Sequence, residues 1–150
     1  DKAQCGNNFN KLFSIWKNKD VVLIEGRKSR LGVGNNMFDN VKSLQRILCP
    51  PNDAFLKYEE IKKEAIKINN KDKLILLSLG PTAKVLAYDL FLIGYRVIDI
   101  GHIDMEYEMF LKKSNKQVKV KYKYFNEIHE RDPEDCVDEK YHSQIIVSIE

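Results

Sequence analysis

Apolar residues recur along the first hundred positions in two rhythms that take turns. Phe9, Leu12, Phe13, Ile15 and Trp16 follow the spacing of one helical face, which predicts a helix over 9–16 with Trp16 as a core or edge aromatic. Val21–Ile24 is then an unbroken β-branched and aliphatic run, the signature of a strand covered on both faces, as in a parallel sheet. A glycine-containing loop follows, and Met37, Val41 and Leu44 predict a short helix capped by Asn35 or Asn36. Arg46–Cys49 predicts a second strand, stopped by Pro50 and Pro51. A helix over 54–68 comes next, capped by Asn52 or Asp53, with Phe55, Tyr58, Ile61, Ala65 and Ile68 as its stripe.

The rhythm repeats after the turn at 69–72. Leu74–Leu79 is a third buried strand ending at Gly80. Pro81 then opens a helix to Ile93 whose inward residues are Val85, Leu86, Leu90 and Ile93, with Gly94 as its stop. Tyr95–Ile100 is a fourth strand closed by Gly101, and 102–108 leads into a further short helix. This succession predicts an α/β domain with a mostly parallel sheet and flanking helices. Its core spans 10–112, and 113–150 adds edge strands and a loop. In that last part, Val118, Val120, Tyr122 and Tyr124 alternate with Lys119, Lys121 and Lys123. The alternation is read as a half-exposed edge strand with a solvated lysine face, not a nucleic-acid platform. An acidic loop at 132–135 and a last strand over 145–149 complete the chain.

Composition narrows the class. In 150 residues, 43% are hydrophobic, enough for a core and too many for a disordered chain. Lys and Arg number 25 against 22 Asp and Glu, a net charge of +3, which argues for no polyanion partner. The longest nearly apolar run, 74–79, is far short of the roughly 20 residues of a membrane helix. Cys5, Cys49 and Cys136 include no C-x-x-C pair, so reduced thiols and a cytoplasmic location are expected. The polar first residues lack the apolar segment of a secretory leader.

Three segments hold the candidate chemistry, each directly after a predicted parallel strand. Ligands of open α/β sheets bind beyond the carboxyl ends of the strands, so these loops are expected to share one edge. In the first, Glu25, Gly26, Ser29, Arg30, Gly32, Gly34 and Asn35 form a glycine-rich turn with anion-accepting amides. Its spacing is neither a Walker loop nor a dinucleotide fingerprint, and phosphate cradle and structural turn both remain open. In the second, Gly80, Pro81 and Thr82 open a helix whose N-terminus attracts anions or is simply well capped. The third holds Asp99, His102, Asp104, Glu106 and Glu108 within ten residues. Asp104 and Glu106, two apart in an extended stretch, can both reach one hard cation, Mg²⁺ or Mn²⁺, while His102 orients or ligates. The competing reading is that these acids favour the N-terminus of the helix that follows. Together the three segments suit a metal-bridged nucleotide diphosphate, with the cation neutralising the leaving phosphates.

The runs 25–35, 46–50, 79–90 (LGPTAKVLAYDL) and 99–108 (DIGHIDMEYE) resemble the bacterial GT-D-type glycosyltransferases, formerly a domain of unknown function. The likeness covers about 10–112. It implies a Rossmann-like fold, a UDP-sugar donor (UDP-glucose in the best-matching role), a glycan or glycoprotein acceptor, and a Mn²⁺-type metal at an Asp-x-Glu motif that falls on Asp104 and Glu106, which would then bind metal or act in catalysis. Glu25, Gly26, Ser29, Arg30, Gly32, Gly34, Asn35, Gly80, Pro81, Thr82 and His102 are the expected donor-binding residues. Two positions depart from the family: Asn36 stands where Asp is frequent, and Met109 where Trp is frequent. The family's N-terminal Arg-Phe/Tyr-Gly-Asp-Gly-Glu segment has no counterpart, so the chain is expected to be the C-terminal part of an incomplete domain. The competing functions are a non-catalytic nucleotide-binding module and a metal-dependent phosphohydrolase.

Overall fold

The unbroken run at 21–24 becomes the centre of the molecule. In a computed structural model, describing residues 2–116, 118–124 and 132–150, β1 (Asp20–Gly26) is buried along all but its first residue. It is flanked by β2 (Ser43–Cys49) and β3 (Leu74–Ser78), with β4 (Arg96–Asp99) beyond β3 and β5 (Ile145–Ser148) beyond β2. All pairings are parallel, giving the order β4-β3-β1-β2-β5. The expected mostly parallel α/β sheet is therefore present.

Alternation along each strand sends side chains to two separate cores. Val22 and Ile24 meet Ile47, Ile75 and Leu77 on one face. That face is covered by α2 (Tyr58–Lys67), through Ile61 and Ala65, and by α3 (Pro81–Leu92), through Ala83, Leu86 and Leu90. Val21 and Leu23 face the other way, onto an aromatic cluster. Phe9 and Phe13 of α1 (Lys2–Phe13), Trp16, Phe38 and Tyr107 of α4 (Ile103–Leu111) form it, with neighbouring rings 4.9–6.0 Å apart.

Several elements differ from the expectation. The helix starting at Met37 is absent: 37–44 runs through turns into β2. Asn35 does act locally, its Oδ1 accepting from the Met37 amide at 3.0 Å in place of a helical start, while Asn36 accepts from the Tyr107 hydroxyl and Asn40 donates to the Phe13 carbonyl. Met37 is nonetheless fully buried, and its carbonyl accepts from the Trp16 indole. Trp16 lies in the turn after α1. The helix expected at Ala54 begins as a 3₁₀ turn, Ala54–Lys57, and Asp53 offers it no side-chain cap. Phe55 is exposed, because that turn rotates it off the stripe. On α3, Leu86 and Leu90 point inward, whereas Val85 and Ile93 are each 44% exposed. The segment 118–124 is not a strand, and its Lys123 is among the most buried side chains of the protein. A short helix not expected from the sequence, α5 (Glu139–Gln144), is capped by the Asp138 carboxylate, which accepts from the Tyr141 amide.

At the carboxyl end of β1, Glu25 is completely buried and pairs with Arg46 of β2 at 2.5 Å. Its second oxygen accepts from the Leu31 amide at 2.8 Å, and Arg46 also donates to the Leu31 carbonyl at 2.9 Å. Burial pushes the Glu25 carboxyl above its usual range, against the pull of Arg46 and of that amide. Glu25 also contributes, after burial itself, to raising the neighbouring Cys49 thiol to about 12. All three cysteines are free thiols.

Arg46→Met leaves a carboxylate buried without its partner and is expected to lower unfolding free energy by about 3–5 kcal/mol in urea titration. A loss under about 1 kcal/mol would show that the pair does not hold the loop. Between α2 and α3, hydrogen bonds from the Tyr58 hydroxyl and then Lys62 hold the Asp89 carboxyl below its usual range. Its stabilisation is present above about pH 4 and is lost as pH falls through the lowered value. Asp89→Asn should therefore be less stable than the parent at neutral pH, with the gap closing in acid melts as pH falls below about 4.

Candidate functional site

The chain runs from β1 outward to β2, then crosses back over β1 to β3 on its other side. That reversal leaves a crevice beyond the carboxyl ends of the strands, where open α/β sheets bind their ligands. A cleft of about 350 Å³ lies there. Every neighbouring strand end reaches it: Gly26 and Ser29 after β1, Pro50–Ala54 after β2, Ser78–Pro81 after β3, and Gly101–His102 after β4. The shared edge expected for the three segments is thus present.

Local backbone geometry shapes this rim. Gly80 has φ +54° and ψ −140°, a conformation disfavoured for residues bearing a Cβ. It caps α3 with no side chain over its first amides, and Pro81 occupies the first turn. The positive end of a 12-residue helix therefore opens on the cleft. The Ser78 hydroxyl donates to the Gly101 carbonyl at 2.9 Å and ties the ends of β3 and β4 together. Gly26 is confined on the opposite side: a Cβ there would lie 3.1 Å from Ser29 Oγ.

The expected donor-binding residues divide into two groups. Gly26, Ser29, Gly80, Pro81 and His102 line the cleft, together with Asp104. Glu25, Arg30, Gly32, Gly34, Asn35 and Thr82 do not. Glu25 is sealed against Arg46. Arg30 is 7% exposed and donates to the carbonyls of Tyr122 and Glu134, away from the opening. Thr82 is buried within the first turn of α3. Gly32, Gly34 and Asn35 border a separate depression beside Arg46 and Tyr141. Gly32 and Asn35 support the site from there, Gly32 N–H donating to Asp104 at 2.8 Å and Asn35 Nδ2 at 2.9 Å.

The Asp104–Glu106 pairing does not form. Both residues lie in the first turn of α4, not in an extended stretch, and a helix separates positions two apart by about 200°. Asp104 is 2% exposed while Glu106 is solvent-exposed. The inward partner of Asp104 is instead Glu108, one turn on. Asn35 Nδ2 bridges the two, 2.9 Å from Asp104 Oδ1 and 2.7 Å from Glu108 Oε1. Lys123 Nζ bridges them too, 2.7 Å from Asp104 Oδ2 and 3.1 Å from Glu108 Oε1. A divalent cation chelated by Asp104 and Glu106 does not fit this geometry: one carboxylate points away, and both oxygens of the other already accept hydrogen bonds. Among the described residues, no group of three or more His, Cys, Asp or Glu side chains is placed to hold a metal ion.

Sequence reasoning missed Lys123, Tyr124, Met105 and the turn 50–53. The turn was accessible, since it follows a parallel strand just as the chosen loops do. Lys123 had no local signal, because its neighbours alternate like an edge strand. The two positions that depart from the family pattern lie outside the cleft. Asn36 Oδ1 accepts from the Tyr107 hydroxyl at 2.7 Å, and Met109 packs against Met105 and Val120.

Comparison with known proteins agrees with this architecture. The family model "Glycosyltransferase GT-D fold" matches residues 1–128. The chain is 45% identical over 150 residues to "Glycosyltransferase GlyD" of Streptococcus pneumoniae serotype 4, covering 99% of this chain and 18% of that protein. It is 44% identical to "Probable glycosyl transferase Gly" of Streptococcus gordonii, covering 99% of this chain and 22% of that one. A solved structure described as a new glycosyltransferase (DUF1792) from Streptococcus sanguinis superposes with a TM-score of 0.94 at 44% identity, covering all of this chain and 56% of the other. A second, described as domain of unknown function 1792 with a distinct glycosyltransferase fold, gives 0.92 at 40% identity and 54% coverage of its chain. The chain thus spans about half the length of these solved proteins and about a fifth of the curated relatives. With its parallel sheet, its strand-end cleft and most of its length matched, the chain belongs to the GT-D-fold glycosyltransferase family.

Proposed function

We propose that this chain forms the nucleotide-sugar-binding part of a bacterial glycosyltransferase that moves a hexose, glucose in the first instance, from a UDP-sugar to a glycan or glycoprotein acceptor. The observation that supports it best is the cleft at the strand reversal, with the N-terminus of α3 on one side and the Gly26–Ser29 turn on the other. In this reading the first amides of α3 and the Ser29 hydroxyl hold the diphosphate, and His102 donates to it from the mouth of α4. Transfer breaks the bond between the sugar's anomeric carbon and the diphosphate, so negative charge grows on the leaving UDP. A helix dipole and prearranged donors stabilise that charge without reorganising. Asp104 lines the cleft with both oxygens already bonded, to Gly32, Asn35 and Lys123, so its part is to order the cleft floor.

Mn²⁺ or Mg²⁺ enters this proposal only as an ion carried by the diphosphate itself, since Asp104 and Glu106 do not converge on one. No helix among the described residues is long and apolar enough to cross a membrane, and the three free thiols suit the cytoplasm. In this proposal residues 1–150 are the C-terminal portion of the glycosyltransferase domain.

Titration calorimetry of the chain with UDP, with and without Mn²⁺, tests it. One UDP site is expected, and Ser29→Ala combined with His102→Ala should weaken it about tenfold, equivalent to about 1.4 kcal/mol. Absence of UDP binding, or affinity untouched by the double substitution, would overturn the assignment.

A further inference from the structure

Lys123 is a buried cation that the reading above does not use. Its side chain is 0% exposed and meets two carboxylates, Asp104 and Glu108, that face each other one helical turn apart. Two buried carboxylates bridged by a single amide repel each other unless a positive charge lies between them. The segment bearing the lysine is built to deliver it. Tyr122 adopts φ +68°, a left-handed conformation uncommon outside glycine, so the backbone is turned at the residue before Lys123. Three further contacts hold that turn in place. Arg30 donates to the Tyr122 carbonyl at 2.7 Å, the Tyr124 amide donates to the Lys28 carbonyl at 2.8 Å, and Val120 packs on Met105. Tyr124, the next residue, lines the cleft, as does Asp104.

We propose that Lys123 is a positioning residue of the nucleotide cleft: its ammonium, seated between Asp104 and Glu108, fixes the Asp104 carboxylate on the cleft floor and clamps 118–124 so that Tyr124 forms part of the wall. The role is exerted through Asp104 and Tyr124, not through contact with the ligand. It rests on the assignment of the cleft to a nucleotide diphosphate.

A purely structural lysine would act on stability and affinity together, whereas a positioning lysine separates them. In Lys123→Met the two carboxylates face each other without a cation, so the melting temperature falls, and UDP affinity measured by calorimetry on the folded chain should fall at least tenfold. In Lys123→Met/Glu108→Gln the repulsion is removed. Stability then recovers toward the parent while UDP affinity stays low, because the ammonium that ties Asp104 to the 118–124 segment is gone. If Lys123→Met alone does not fold, the double variant is measured against the same criterion. Parent-like UDP affinity in either folded variant, or stability and affinity recovering in step, would overturn the inference. Failure of the unsubstituted chain to bind UDP would instead overturn the assignment of the cleft, and this inference with it.

Discussion

The arrangement of this protein depends on a carboxylate at the end of its central strand. Glu25 sits where β1 leaves the sheet, and each of its oxygens has a different task. One neutralises Arg46 on the neighbouring strand, and the other takes the Leu31 amide, so the loop is bent back over the strand end. Burying such a group is costly, and it is tolerated only because charge and hydrogen bonds are both satisfied. The bend then places Gly32 N–H and the Asn35 amide against Asp104, 72 and 69 residues further along. A second acid, on α4, is thereby fixed to the first loop. The cleft floor is thus organised by two buried carboxylates, one holding the loop to the sheet and the other holding the helix to the loop.

Much of the fold was legible because strong periodicity and burial agree. Val21–Ile24 and Leu74–Leu77 are continuous apolar runs, and only a sheet covered on both faces accommodates them. The positions of the three chemical segments followed from strand direction alone. What failed did so where tertiary contacts override local pattern. Met37, Val41 and Leu44 have helical spacing, but a stretch rich in Asn and Asp satisfied its backbone locally and the apolar side chains reached the aromatic core through turns. Lys121 and Lys123 share one alternating row, yet the first is exposed and the second is fully enclosed. No periodicity distinguishes them, because the difference lies in two acids on another element.

The same limit explains the site. Asp104 lines the cleft, whereas the pairing with Glu106 assumed an extended backbone that α4 does not have. Glu108 has the helical spacing to accompany Asp104 and does so. Likewise, Arg30 and Glu25 have the chemistry of ligand-binding groups, but each is consumed by an internal partner. In the proposed function, anion recognition falls to backbone amides, the Ser29 hydroxyl and His102. These are groups whose directions the fold sets without any long side chain having to be ordered.

The position of β5 has a consequence for synthesis. This strand pairs with β2 across about a hundred positions of sequence, while Gln144 bonds the Arg46 guanidinium and Tyr141 stacks beneath it at 5.0 Å. A nascent chain leaving the ribosome therefore has the other four strands in hand before it can shield the Glu25–Arg46 pair from water on that flank. The flank of the central ion pair that Tyr141, Gln144 and β5 cover is therefore completed only once residues 138–149 have been made.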